Sequence, residues 1–180
     1  MSKVYFTSDT HFGHASIVKF VGQWRKGSNS EEHDEWLIEE INKVVRKRDV
    51  LYILGDIAMG KPGTVDKRGI GWYNLSKVGR LNGTKKFILG NHDDMTIEAY
   101  RQYAQIIRGM DRYKGFWLSH CPIHPQELRG RKNIHGHVHA NSIPDDNYIN
   151  VCVEANMMRN GTPIIEFEEL KNRKRLENED

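Results

Sequence analysis

Asp9-Thr10-His11, Gly55-Asp56, Gly90-Asn91-His92-Asp93, His120 and Gly136-His137-Val138-His139 follow one another in this order along 180 residues. Carboxylate and amide oxygens with imidazole nitrogens, and no thiolate among them, suit borderline or hard divalent cations such as manganese, iron, zinc or nickel. There are enough donors for two ions. Residues two apart on an extended chain point the same way, so Asp9 with His11, or His137 with His139, can face one site. A glycine directly before Asp56, Asn91 and His137 permits a sharp turn and a close backbone approach. Each block alone has an ordinary explanation: a turn for Gly-Asp, a helix cap for Asn-His-Asp, an exposed strand face for His135, His137 and His139. Their order, with the first four at the ends of apolar runs, argues for one site.

The elements that must position them are read from the hydrophobic pattern. Residues 4–6, 50–54, 87–89 and 116–118 read as short buried strands. In open α/β sheets ligands gather at the carboxyl ends of strands, and there stand Asp9, Asp56, Asn91 and His120. A helix is predicted over 31–48, with Leu37, Ile41, Val44 and Val45 on one stripe and Trp36 beside it in the core. Its start is capped by Asn29 with Glu32, or by Ser28 with Glu31. A second helix is predicted from Asp94, capped by Asp93 or Asp94, to about residue 105, and a shorter one over 72–78. Further short strands are expected near 133–135, 148–153 and 164–167, with turns at 144–147 and 160–161. The pattern predicts an α/β fold with a mixed sheet or two stacked sheets. It is a single domain over 1–170, followed by a charged, solvated tail at 171–180.

Composition is that of an ordinary globular chain: 38% hydrophobic, 28% charged, mean hydropathy −0.68. No apolar run is long enough for a membrane span, and the first residues enter a strand with no secretory signal. Cys121 and Cys152, the only cysteines, make no disulfide framework and are expected to be buried or inert thiols of a reducing, cytoplasmic compartment. A net charge of +3 suits a phosphate-bearing substrate and argues against duplex nucleic acid. Nothing in the pattern speaks to oligomeric state.

These blocks resemble the calcineurin-like metallophosphoesterase signature, D-x-H, G-D, G-N-H-[DE], H, G-H-x-H, which extends here from residue 9 to 139. The opening Ser8-Asp9-Thr10-His11-Phe12-Gly13-His14 is similar to a small phage and bacterial subgroup. The resemblance implies two mixed β-sheets packed together and flanked by helices. It implies one metal held by Asp9, His11, Asp56 and His139, and a second by Asp56, Asn91, His120 and His137, with Asp56 bridging. His92 corresponds to the family's non-ligand catalytic histidine, and Asp93 to a supporting role that helix capping would explain equally well. Gly55-Asp56-Ile57-Ala58-Met59 lacks the continuation typical of Ser/Thr protein phosphatases, which argues against a phosphoprotein substrate. If the chain is phage-encoded, the expected compartment is the host cytoplasm.

The expected reaction is hydrolysis of a phosphate ester by in-line attack of a metal-activated hydroxide, with two ions, manganese first among them, about 3.5–4 Å apart. Their charge, less that of Asp9, Asp56 and one hydroxide, leaves about +1 to attract a phosphoryl group. A nucleotide or cyclic-nucleotide phosphodiester, 2′,3′-cyclic first, is the expected substrate. The alternatives are a broad phosphomonoesterase and a non-catalytic scaffold on the same fold. His14 either touches the leaving group or caps the next helix. Trp24-Arg25-Lys26 offers a base-stacking face and phosphate contacts, with Arg25 as substrate ligand. Residues 59–71 read as a mobile loop, and Arg129, Arg131 and Lys132 as a basic group near the site; for all three segments ordinary solvated loop is the equal alternative. His33 is expected at the surface and His135 turned away from the metals, while His124, between Pro122 and Pro125, reads as an ordinary loop residue with substrate contact as the alternative.

Overall fold

Alternation along the early strands decides the layering. In the computed structural model, which describes residues 1–60 and 69–176, Tyr5, Leu51, Ile53 and Phe87 point into one core shared with helices. Phe6, Tyr52, Leu54 and Ile88, each next in sequence to one of these, point into a second core shared with Leu118, Ile134 and Val151. Strand residues alternate faces, so one sheet is buried on both sides. It comprises β1 (Val4–Thr7), β2 (Val50–Leu54), β3 (Thr84–Ile88), β4 (Ile106–Arg108) and β9 (Ile165–Glu166) in the order β4-β3-β2-β1-β9. The first four are parallel and β9 is antiparallel. The second sheet, β5 (Met110–Tyr113), β6 (Phe116–Ser119), β7 (Asn133–His135) and β8 (Tyr148–Asn150), is parallel except for β5. Two mixed sheets flanked by helices are what the family resemblance implies.

The helices are α1 (Ile17–Val21), α2 (Ser30–Val44), α3 (Ile70–Ser76), α4 (Ile97–Arg101), α5 (Val153–Asn160) and α6 (Phe167–Leu176). Asn29 caps α2 by accepting the Glu32 N–H at 3.0 Å, and Leu37 and Ile41 are fully buried. The helix stops at Val44, short of residue 48. The Asp49 carboxylate accepts the Arg46 and Lys3 N–H groups, both at 2.9 Å, and turns the chain into β2. Likewise α4 is shorter than 94–105. Asp93 is engaged elsewhere, and the Gln105 N–H bonds the Lys85 carbonyl at 2.9 Å, so the chain has already joined the sheet edge.

Residues 148–153 are not one strand: β8 ends at Asn150 and α5 starts at Val153, ending at Gly161 with φ +73°. The short helix read over 72–78 is α3, continued by a 3-10 turn at Lys77–Arg80. The stretch read as a tail is helical as far as Leu176. Most of the loop read over 59–71, residues 61–68, lies outside the described residues.

Candidate metal centre

Backbone pairing sets the site before any side chain does. The loops after β1 and β2 run side by side: Asp9 N–H bonds Gly55 O at 3.0 Å, and His11 N–H bonds Asp56 O at 2.9 Å. Held this way, Asp9, His11 and Asp56 take φ values of +57°, +49° and +50°, and His137 and His139 take +72° and +52°. Left-handed backbone costs an L-residue about 1–2 kcal/mol, although Asp and His tolerate it better than most. Close approach fixes the glycine positions too. A Cβ on Gly136 would lie 1.9 Å from Ser8 Oγ and 2.5 Å from Asp9 Oδ2, and one on Gly55 would lie 2.4 Å from His120 Nδ1.

The side chains converge into two adjoining donor groups. In the first, donor atoms of Asp9, His11 and His139 all lie within 4.8 Å of one another. Asp9 Oδ1 is 3.9 Å from His11 Nε2 and 3.8 Å from His139 Nε2. In the second, His120 Nε2 is 2.9 Å from Asn91 Oδ1 and 3.2 Å from His137 Nδ1. Asp56 stands between them, its Oδ2 3.7 Å from His11 Nε2 and its Oδ1 3.4 Å from His120 Nε2. Asp9 Oδ1 and both ring nitrogens of His11 are buried without a hydrogen-bond partner. Buried polar atoms are nearly always satisfied, so these atoms fit a cation bound among them. Oxygen and imidazole donors fit a divalent metal.

Electrostatics favour the charge states such a cation needs. Burial, with the Arg25 charge behind it, lowers His11 to about 3, leaving a neutral imidazole. Burial works against ionised Asp56, but the His120 contact and the His92 N–H outweigh it and hold the carboxyl at about 2. His120 donates Nδ1–H to the Leu54 carbonyl at 2.8 Å, which aims Nε2 at the cage. Burial would lower His120, yet Asp56 and the Asp9 charge raise it to about 9; a bound cation would take the place of that proton.

Behind the first group lies a buried ionic network. Arg25, 2% exposed, donates to Glu154 Oε1 at 2.7 Å, to Asp9 O at 2.6 Å and to Thr10 O at 3.2 Å. Glu154 Oε1 lies 3.4 Å from His139 Nδ1. His33 bridges Arg25 and Asp34 at 3.1 and 2.9 Å, and Asp34 accepts from Lys77 at 2.7 Å. Arg25 is therefore turned inward onto the strained loop and does not face substrate. His33 is fully buried rather than at the surface, because two charged neighbours consume its ring nitrogens.

Asp93 sits behind Asp56. Its carboxylate accepts the N–H groups of Asp56, Ile57 and Gly90 at 2.8, 2.9 and 2.8 Å, so it is a positioning residue clamping two loops and not a helix cap. His92 is exposed at the rim, its ring 5.9 Å from that of His11, and its N–H is fixed on Asp56 Oδ1 at 3.0 Å. His14 packs edge-on against His11 at 5.5 Å. His135 is buried and bonded to Gly136 O, turned from the cage. His124 caps Pro125–Glu127 on the exposed loop after His120.

Cys152 is buried and its thiol donates to Asp9 Oδ2 at 3.1 Å. Cys121, by contrast, is exposed, with its sulfur within 4.8 Å of donors on His120 and His137, so of the two thiols expected to be buried or inert Cys152 is the buried one. Burial and nearby carboxylates push its pKa up. Glu154, Asp34 and Lys77 had no signal in the pattern. Arg25 and Glu154 are 129 residues apart, and no local period links them.

The family model for calcineurin-like phosphoesterases matches residues 2–151. The chain belongs to this family. An uncharacterized protein of Methanocaldococcus jannaschii is 38% identical over 153 residues, 83% of this chain and 77% of that one. The gene 66 proteins of Mycobacterium phages D29 and L5 are 43% and 37% identical over 94 residues. Those matches cover 52% of this chain and 41% of each phage protein, so the chain spans less than half of their length. The crystal structure of an Aquifex aeolicus protein of unknown function superposes with a TM-score of 0.70 at 25% identity, covering 96% of this chain and all of that one. These relatives place the phosphoesterase chain in a phage and bacterial branch with an archaeal member. Membership carries metal-dependent phosphoester hydrolysis. Among the described residues, no helix is long and apolar enough to cross a membrane.

Proposed function

We propose that the protein is a two-metal phosphodiesterase acting on nucleotide esters, 2′,3′-cyclic nucleotides first among them. The observation that carries this reading is Asp56, whose two oxygens face two separate donor groups at 3.7 and 3.4 Å. Asp9, His11, Asp56 and His139 would hold one divalent ion, and Asp56, Asn91, His120 and His137 the other. Bound there, the ions supply Lewis-acid charge to phosphoryl oxygens and make a water-derived nucleophile available near neutral pH. Manganese suits these oxygen and imidazole donors.

The residues of the chain supply the rest. Asn91 and His92 stand exposed at the rim, where a leaving group departs. His92, anchored through its backbone on Asp56, holds a proton for that alkoxide, a role typically contributing 10²–10⁴-fold. Glu154 orients His139, and Asp93 fixes the turn that carries Asp56. The inward turn of Arg25 supports a diester over a monoester. No guanidinium of the Trp24-Arg25-Lys26 loop is left to meet the second negative charge of a monoester.

The test is to load metal-free protein with manganese, iron, zinc or nickel. It is then assayed on p-nitrophenyl phosphate, its bis ester, and 2′,3′- and 3′,5′-cyclic nucleotides. Diester turnover above monoester turnover is expected. Preference for the monoester would make the protein a phosphatase, and no turnover with any metal would overturn the reading.

A further inference from the structure

The outer face of the second sheet carries a groove of about 580 Å³ that the cage does not use. Strand alternation builds it. Phe116 and Leu118 fill the core between the sheets, so Trp117 points the other way, and register pairs it with Arg112 on β5. The Trp117 indole N–H donates to Leu128 O at 3.1 Å, which fixes the ring. The guanidinium carbons of Arg112 and Arg131 lie 5.5 and 5.9 Å from its centroid. Arg129 and Glu127 also line the groove and pair with each other at 3.0 Å. Among the described residues, Arg112 and Arg131 have no carboxylate partner.

The groove adjoins the cage along the chain. Trp117 precedes His120 by three residues, about 10 Å of extended strand. Ile123 and His124, on the loop leaving His120, line it as well. A fixed indole flanked by planar cations is the combination that holds unpaired bases by stacking while meeting backbone phosphates. A duplex hides its base faces, and the Asp and Glu side chains of an acidic peptide offer charge to the guanidinium groups but no ring to stack on the indole.

We propose that this groove is the docking track of single-stranded nucleic acid, whose scissile phosphodiester lies at the metal cage. Only the last clause rests on the phosphodiesterase reading.

The experiment measures fluorescence anisotropy of short labelled oligothymidylate and oligouridylate with the metal-free full chain in chelator, across a salt series. The two probes tell DNA from RNA. Wild type is expected to bind one or both. Replacing Arg112→Ala and Arg131→Ala together is expected to flatten the slope of log Kd against log salt by about 1.4, at roughly 0.7 per lost phosphate contact. Trp117→Leu is expected to weaken binding roughly tenfold, and Trp117→Phe much less. Should Trp117→Leu fail to fold, the arginine pair and Trp117→Phe still decide. The proposal is overturned if wild type binds neither probe, or if the salt slope survives loss of both arginines. A matched duplex or an acidic peptide binding as tightly overturns it too. Turnover of a small diester by wild type reports on the cage separately: binding without turnover removes the phosphodiesterase, and turnover without binding removes the groove.

Discussion

Replacing Arg25→Met asks whether the buried network carries the weight its geometry implies. The guanidinium is 2% exposed and Glu154 fully buried, with 2.7 Å between them. Removing one member of a buried ion pair costs about 3–5 kcal/mol, because the other charge is stranded. In a domain of this size each kcal/mol moves the midpoint by about 2–4 °C, so metal-free protein at pH 7 should melt roughly 6–20 °C lower.

A pH signature separates this mechanism from simple loss of packing. Burial alone would raise Glu154, but the Arg25 charge, followed by the His139 contact, holds it at about 2 against an ordinary 4.5. A lowered carboxyl stabilises the fold above pH 4.5, and that contribution is lost as pH falls toward 2. Without Arg25, burial wins and the pKa rises, so the gap between variant and wild type should narrow from pH 7 to pH 4. Adding Glu154→Met should recover about half of the loss. The stranded charge is gone, while the Asp9 and Thr10 carbonyls still lack their donor. Calorimetry of wild type, Arg25→Met, Glu154→Met and the double variant in chelator decides. Midpoints within 2 °C (~1 kcal/mol or less) for Arg25→Met, or purely additive effects, would refute the argument.

Three other outcomes follow from the same site. His92→Ala should keep its metal by elemental analysis and lose roughly 10²–10⁴-fold in rate. The loss should be larger for poor leaving groups than for p-nitrophenolate, and an equal loss on both would count against proton donation. Asp56→Asn should lower metal content together with activity, and full occupancy would remove its bridging role. Gly136→Ala must displace Ser8 and the Asp9 carboxylate, given a Cβ 1.9 Å from Ser8 Oγ. Titration calorimetry should show weakened metal binding there, whereas wild-type affinity would contradict the tight approach.

Much of this was legible in the sequence, for physical reasons that differ by element. The β1 and β2 strands declared themselves because alternate residues fill two cores, β6 because Phe116, Trp117 and Leu118 make one apolar run, and the ligand blocks because each ends a strand. The edge strands β4 and β5 did not, since Gly109 separates them and Met110 and Arg112 face solvent, leaving no apolar run. The start of α5 was hidden behind Val151 and Val153, whose β-branched side chains suggest a strand. Arg25 and His33 were misplaced for one reason. A charged or titratable residue is typed as surface until its partner is known, and Glu154 comes from the far end of the chain.

The left-handed backbone at Asp9, His11, Asp56, His137 and His139 bears on what the site demands of its side chains. Glycine would occupy each of those conformations at little cost. A chain retained only as a docking platform would be expected to drift there and gain stability. None of the five positions is glycine. Side chains held on an uncomfortable backbone at five places in this chain fit a demand for their chemistry, and glycine at these positions is what loss of that demand would leave.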